Sequence, residues 1–161
     1  MLERLQDILE REGARLVLEL QSAMQSTGAN ASGKTSQSLR VATRRTNTAL
    51  NMNISGGIGW AFVEQGRGAT RRSGNGAVRK AIKQWIDDKG ITPDGNMTKD
   101  ALAFLITRAI HERGTLLHLL NERREIYTSV ITENGVNEII DKLGETVEVE
   151  VSSDVLKQIF K

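Results

Sequence analysis

The hydrophobic pattern of this chain changes period at residue 39, and that change decides the fold class. Over 2–24, Leu2, Leu5, Ile8, Leu9, Leu16, Leu20, Ala23 and Met24 recur at spacings of three and four, which predicts an amphipathic helix with one apolar face. Gly13 interrupts it and predicts a local weakness, since glycine costs about 1 kcal/mol relative to alanine inside a helix. The stretch 26–38, STGANASGKTSQS, is small and polar and reads as a loop. Beyond it Leu39, Val41 and Thr43 alternate with Arg40, Ala42 and Arg44; Leu50, Met52 and Ile54 alternate with Asn51 and Asn53; Ile58, Trp60 and Phe62 alternate with Gly59, Ala61 and Val63. Period two predicts three short strands within 39–63, an antiparallel meander with one apolar face. A helical opening followed by such a meander implies an α+β fold, with helices packed on one face of a small, mostly antiparallel sheet. At 161 residues the expectation is one domain, 1–161.

The rest of the chain is read more coarsely. Residues 64–76, EQGRGATRRSGNG, hold no bulky apolar side chain and predict a long mobile loop, a place where function often resides. A helix over 77–89 follows, with Val78, Ala81, Ile82, Trp85 and Ile86 on one face and Gly90 in the stop position. A second helix over 98–113 carries Leu102, Leu105, Ile106, Ala109 and Ile110, with Thr98 as N-cap and Gly114 closing it. Segment 115–161 reads as mixed. Val136, Ile139, Ile140 and Leu143 suggest a short helix ending at Gly144, TVEVEV (146–151) a strand, and Val155, Leu156, Ile159 and Phe160 a last short helix.

Composition excludes several functions. With no cysteine there is no disulfide scaffold, thiol nucleophile or thiolate metal site. No apolar run approaches the roughly 20 residues that span a bilayer, and the opening MLERLQDILEREG has no apolar core of a secretory signal, so a soluble chain with no membrane partner is expected. The 4% aromatic content supplies few stacking platforms for single-stranded nucleic acid. Charge is polarised: residues 26–86 hold ten basic side chains and one acid, Glu64, a net of +9, while the remainder carries 12 bases and 19 acids, a net of −7. Such a chain faces a polyanion, or attracts copies of itself head to tail.

Gly28-Ala29-Asn30-Ala31-Ser32-Gly33-Lys34-Thr35 matches the phosphate-loop expression in full. Its chemistry requires a buried parallel strand before the loop and a helix after it. The expected context is the reverse, so the match at Gly28, Gly33, Lys34 and Thr35 is read as accidental. His111 and His118 lack a third ligand at metal-site spacing and read as exposed or hydrogen-bonded. Asp87-Asp88 reads as a solvated pair in a last helical turn. No catalytic constellation and no cofactor emerge. The guanidinium groups of Arg67, Arg71 and Arg72 suit phosphate or intersubunit salt bridges. No sequence-reading motif accompanies them.

From residue 57 onward the chain resembles a known family. The run Gly59-Trp60-Ala61-Phe62-Val63-Glu64-Gln65-Gly66-Arg67-Gly68, an Arg/Gly-rich loop, and Ala81-Ile82-Lys83-Gln84-Trp85-Ile86-Asp87-Asp88-Lys89-Gly90-Ile91 resemble the neck proteins of tailed bacteriophages, the tail-completion or head–tail connector proteins. Arg113-Gly114-Thr115 and Ser32-Gly33-Lys34-Thr35-Ser36-Gln37-Ser38-Leu39 fit the same pattern, which covers most of 30–145. Ala69 stands where many members have proline after the G-R-G.

The resemblance implies a non-enzymatic virion protein, assembled in the bacterial host cytoplasm and resident in the virion neck or tail. It implies a homo-oligomeric ring that meets a portal or adaptor ring and the tail tube or other neck proteins, with genomic DNA passing through without sequence specificity. Trp60, Phe62, Trp85 and Ile86 are then expected to pack the sheet–helix core. Glu64, Gly66, Gly68 and Gly90 are motif positions of structural weight, and Arg44, Arg45, Arg67, Arg71 and Arg72 are candidates for DNA-channel or inter-ring contacts. The alternatives are a small non-specific DNA-binding protein and, more remotely, a phosphate-loop nucleotide hydrolase.

Overall fold

The computed structural model describes residues 2–29, 32–46, 49–70 and 76–159, the side chains of 154–159 excepted. The fold is α+β, organised around the first helix. Helix α1 (Leu2–Ser26) buries Leu9, Gly13, Leu16, Leu20 and Met24, a single stripe at helical spacing. The helix continues unbroken through Gly13, where an added Cβ would collide with Val41 and lie 2.8 Å from Met52 Sδ. Gly13 is where the helix backbone comes down onto the sheet, and close approach outweighs helix propensity.

After α1 come a single-turn helix α2 (Lys34–Gln37) and two strands, β1 (Arg40–Arg45) and β2 (Leu50–Ser55). The strands pair antiparallel, from Arg40 opposite Ser55 to Arg45 opposite Leu50. Val41, Thr43, Leu50, Met52 and Ile54 are half-buried, while Arg40, Ala42, Arg44, Asn51 and Asn53 are exposed, as the alternation predicts. The Thr43 hydroxyl also donates to Glu10 Oε1 on α1 (2.7 Å).

The third strand of the expected meander is absent: Ile58–Phe62 is a 3₁₀ helix. At Gly56 a Cβ would sit 2.9 Å from Leu39 Cδ2, and at Gly59 another would sit 2.7 Å from Thr35 Oγ1. These two glycines let the chain wind tightly against Leu39 and α2 instead of extending. The Gly57 N–H donates to Ser38 Oγ (2.7 Å), and the Trp60 N–H to the Gly57 carbonyl (2.8 Å). Residues three apart share a face in a 3₁₀ helix, so Trp60 and Val63 turn inward while Ile58 is 88% exposed. The expected core quartet therefore splits. Ile86 is fully buried and Trp60 half-buried, but Phe62 and Trp85 remain 39% and 38% exposed.

Helices α3 (Ala77–Asp88) and α4 (Lys99–Arg113) form a hairpin. Thr98 accepts from the Ala101 N–H (3.2 Å) as N-cap, and Gly90 (φ 64°) and Gly114 (φ 95°) follow the two helices, all as the sequence predicts. Two single-turn helices, α5 (Leu116–Leu119) and α6 (Tyr127–Val130), lead to α7 (Glu133–Ile159).

The C-terminal reading is corrected. One 27-residue helix replaces the short helix, the strand at 146–151 and the last helix, and Gly144 lies inside it with helical backbone. The cause is tertiary. Ile139 and Leu143 pack against Leu9 and Leu16 of α1, Lys142 Nζ reaches Glu12 (2.5 Å) and Arg4 reaches Glu150 (3.3 Å). An antiparallel helix pair with matched charges at both points overrides the strand preference of alternating valines. The main core (Leu20, Met24, Leu39, Val63 and Ile126) lies where α1, the start of β1, the 3₁₀ segment and the start of α6 meet. Trp60 meets Tyr127 edge-on at its margin, 5.7 Å between centroids.

Candidate functional site

The residues of the E-x-G-R-G run form a strap between the sheet-bearing body and the helices that follow. Glu64 is fully buried. Its Oε2 accepts the N–H groups of Tyr127 (2.8 Å) and Thr128 (3.1 Å), and its carbonyl accepts Arg124 N–H (3.1 Å). One acidic side chain thus fixes the start of α6. The Arg67 N–H donates to Thr115 Oγ1 (2.9 Å), and the Thr115 N–H returns to the Arg67 carbonyl (2.8 Å). Further along, the Thr70 N–H donates to the His111 carbonyl (3.1 Å), and Thr70 Oγ1 shares a 2.6 Å hydrogen bond with His111 Nδ1.

Two glycines make this approach possible. Gly66 (φ 72°) would drive a Cβ into Thr115 and to 2.9 Å from the His118 N–H, and a Cβ at Gly114 would lie 2.7 Å from the Arg67 carbonyl oxygen. The expectation of a mobile loop over 64–76 is therefore corrected for 64–70, which is strapped along 111–118. Arg67 lies partly inside this strap, with Nη1 buried and without a hydrogen-bond partner among the described residues. Arg71 and Arg72 lie outside the described residues.

Arg44 and Arg45 are exposed on β1. The phosphate-loop match joins α1 to the single-turn α2 and is followed by β1, a helix–loop–strand order opposite to that of nucleotide-binding folds. Thr35 packs against Gly59, and Ser36 is buried, its hydroxyl donating to the Gly33 carbonyl (3.0 Å). Asp87 pairs with Lys99 (2.6 Å) and Asp88 accepts from Gln84 (2.8 Å). His118 stacks beside Gly68, where a Cβ would come within 3.2 Å of Nε2. Among the described residues no group of three or more His, Asp or Glu could hold a metal ion, and no helix is long and apolar enough to cross a membrane.

The surface itself is the feature that sequence reasoning missed. The chain exposes 11345 Å², whereas a compact monomer of 17.7 kDa exposes about 8,000 Å². Among the described residues ten apolar side chains are buried and seventeen large ones are exposed, including Leu116, Leu119 and Leu120 around α5 and Val147, Val149 and Val151 on α7. Scattered exposed apolar residues are ordinary, but among the described residues the exposed large apolar side chains outnumber the buried ones. Comparison with known proteins finds no matching family model, no matching curated protein and no matching solved structure.

Proposed function

We propose that this protein is a non-enzymatic structural protein of a tailed-phage virion, forming a homo-oligomeric ring in the neck as a head–tail connector or tail-completion component through which DNA passes. The observation that carries this reading is the surplus of about 3,000 Å² of surface over a compact monomer, within the range that obligate assemblies bury. Its apolar content fits interfaces between subunits rather than a substrate pocket. Polarised charge fits head-to-tail contacts, which close into rings when the rotation allows. The strap adds support. Two motif segments that resemble the neck family, Glu64–Gly68 and Gly114–Thr115, are far apart in sequence and bonded to each other in space. In the ring, portal or adaptor subunits and tail-tube or other neck proteins are the neighbours, and contacts to DNA are with phosphate alone.

Quantitative mass spectrometry of purified virions tests the proposal. A fixed copy number comparable with that of the portal ring is expected. Absence of the chain from particles overturns the proposal. One observation favours a second reading, non-specific DNA binding: Arg40, Arg44 and Arg45 share one exposed strand. That reading requires affinity of the isolated protein for duplex DNA that falls steeply with salt. No retention of DNA at low salt ends it.

A further inference from the structure

Helix α7 has two apolar faces. One, through Ile139 and Leu143, is covered by α1. Advancing 100° per residue, Val136, Ile140, Val147 and Val151 fall together in a second stripe roughly a quarter turn away, and all four are exposed. The exposed acids Asp141 and Glu148 border that stripe. Residues 133–159 contain seven acids and two lysines, and one of those lysines, Lys142, is engaged by Glu12. Among the described residues nothing covers this apolar helix edge and its acidic border.

The chain also carries a surface of matching character. Between Ala29, residues 32–35 and α3 lies an open cleft of about 510 Å³, lined by Ala29, Thr35, Ala81 and Trp85 together with the charged Lys34, Lys80 and Asp88. Both lysines are exposed and form no ion pair among the described residues, although Arg79 and Lys83 on the same helix are both committed to Asp100. The lining is mainly apolar, and its charged side chains, two lysines against Asp88, leave it net positive, the complement of the α7 edge.

We infer that the outward stripe of α7 in one copy seats in the lysine-rimmed cleft beside α3 of the next, so that the self-contact is head to tail. The occupant is a second copy of this chain because the two surfaces complement each other in both charge and apolar character, and because the surplus of exposed surface is of the size a stable assembly buries. Pairing α7 with α7 across a two-fold axis would set Asp141 and Glu148 of one copy near those of the other, a repulsion the head-to-tail arrangement avoids. The inference rests on the assembly reading above and identifies the surfaces that would meet in it.

Because the chain has no cysteine, full-length Ala81→Cys and Val147→Cys variants each carry one unique thiol. Mixed and treated with a bismaleimide, they are expected to give a covalent dimer that neither gives alone. The double variant Lys34→Glu/Lys80→Glu, with its fold checked by circular dichroism, is expected to weaken self-association in sedimentation by about tenfold or more. Mixing it with Asp141→Lys/Glu148→Lys is expected to restore that association, because interfacial charge pairs of opposite sign attract in either orientation. A dimer formed by Val147→Cys alone overturns the proposal in favour of an α7–α7 contact. Protection of Lys34 and Lys80 by duplex DNA, with no cross-link, overturns it in favour of DNA in the cleft. If the protein assembles and enters particles while the lysine variants associate normally and no cross-link forms, this contact is wrong and the ring reading stands. A chain that stays monomeric at every concentration and is absent from particles overturns both.

Discussion

The body around α1 and the α3–α4 hairpin are held by different forces. In the body, Leu20, Met24, Leu39 and Ile126 are almost wholly removed from water, and polar contacts serve to place backbone, as Glu64 does at α6. In the hairpin, Ile86 and Ala103 are the buried apolar residues, and exposed pairs stitch one helix to the other: Arg79 and Lys83 to Asp100, and Lys99 to Asp87. Arg79 also lies over the Phe104 ring, 5.5 Å from its centroid. Apolar burial supplies the larger and less condition-dependent share of stability, while exposed ion pairs contribute little and fade with salt. The difference separates a region held mainly by apolar burial from one held mainly by exposed charge pairs.

Substitutions should separate the two regions. Leu20→Ala, at the centre of the body, is expected to cost about 3–5 kcal/mol in urea unfolding, enough to threaten a domain of ordinary stability. Glu64→Ala comes next, at about 2–4 kcal/mol, because it strips acceptors from two N–H groups in the part-buried start of α6; Glu64→Gln, which keeps one acceptor oxygen, should recover part of that loss. Gly13→Ala is expected to destabilise by about 1–3 kcal/mol through overpacking against Val41 and Met52, although alanine is the better helix former. A stabilised Gly13→Ala protein would mean that the helix–sheet spacing is more yielding than the geometry implies. In the hairpin, Phe104→Ala should cost no more than about 1 kcal/mol, because the ring is half exposed and its contact with Arg79 is a surface one. A loss as large as that of Leu20→Ala would erase the distinction between the regions.

Much of the body was legible in the sequence, for physical reasons that also explain where reading stopped. The α1 stripe, the first two strands, and the Thr98 and Gly114 ends of α4 each depend on a local pattern that tertiary contacts reinforce. Residues 58–62 and 146–151 show the same period-two pattern yet became a 3₁₀ helix and part of α7, because partners elsewhere decided them. At 58–62 the missed signal was glycine, since Gly56, Gly57 and Gly59 favour tight winding over extension. At 146–151 it was a charge match across 130 or more residues, Glu12 with Lys142 and Arg4 with Glu150, which no local window contains. The candidate site was legible as a motif but not as a strap: nothing near Arg67 in the sequence points to Thr115. Glu64 itself, the one acid in the strongly basic stretch 26–86, was the available hint, since a lone carboxyl among arginines and glycines is well placed to organise backbone.

Asp100 gives the smallest effect and the sharpest contrast between the two regions. Lys83 first, and then Arg79, hold its carboxyl below the ordinary value of 3.8. With the folded value depressed, its contribution to stability is fully present above the ordinary value and is lost as pH falls through the lowered one. Asp100→Asn should therefore lower the unfolding midpoint slightly at neutral pH, and the difference should shrink in acid as the wild-type carboxyl takes up its proton. It should also shrink in about 1 M salt, where the screening length falls to roughly 3 Å. In the body, Glu12 is likewise held below its ordinary 4.5, chiefly by Lys142 and then by Arg15, so Glu12→Gln should show the same sign with pH. Glu12 is more enclosed, its side chain 12% exposed against 53% for Asp100, and salt should therefore erase less of its effect. Thermal melts of both variants across pH and salt test the distinction: equal salt sensitivity would show that the α1–α7 seam is as open to solvent as the hairpin, and that the body owes its stability to apolar burial alone.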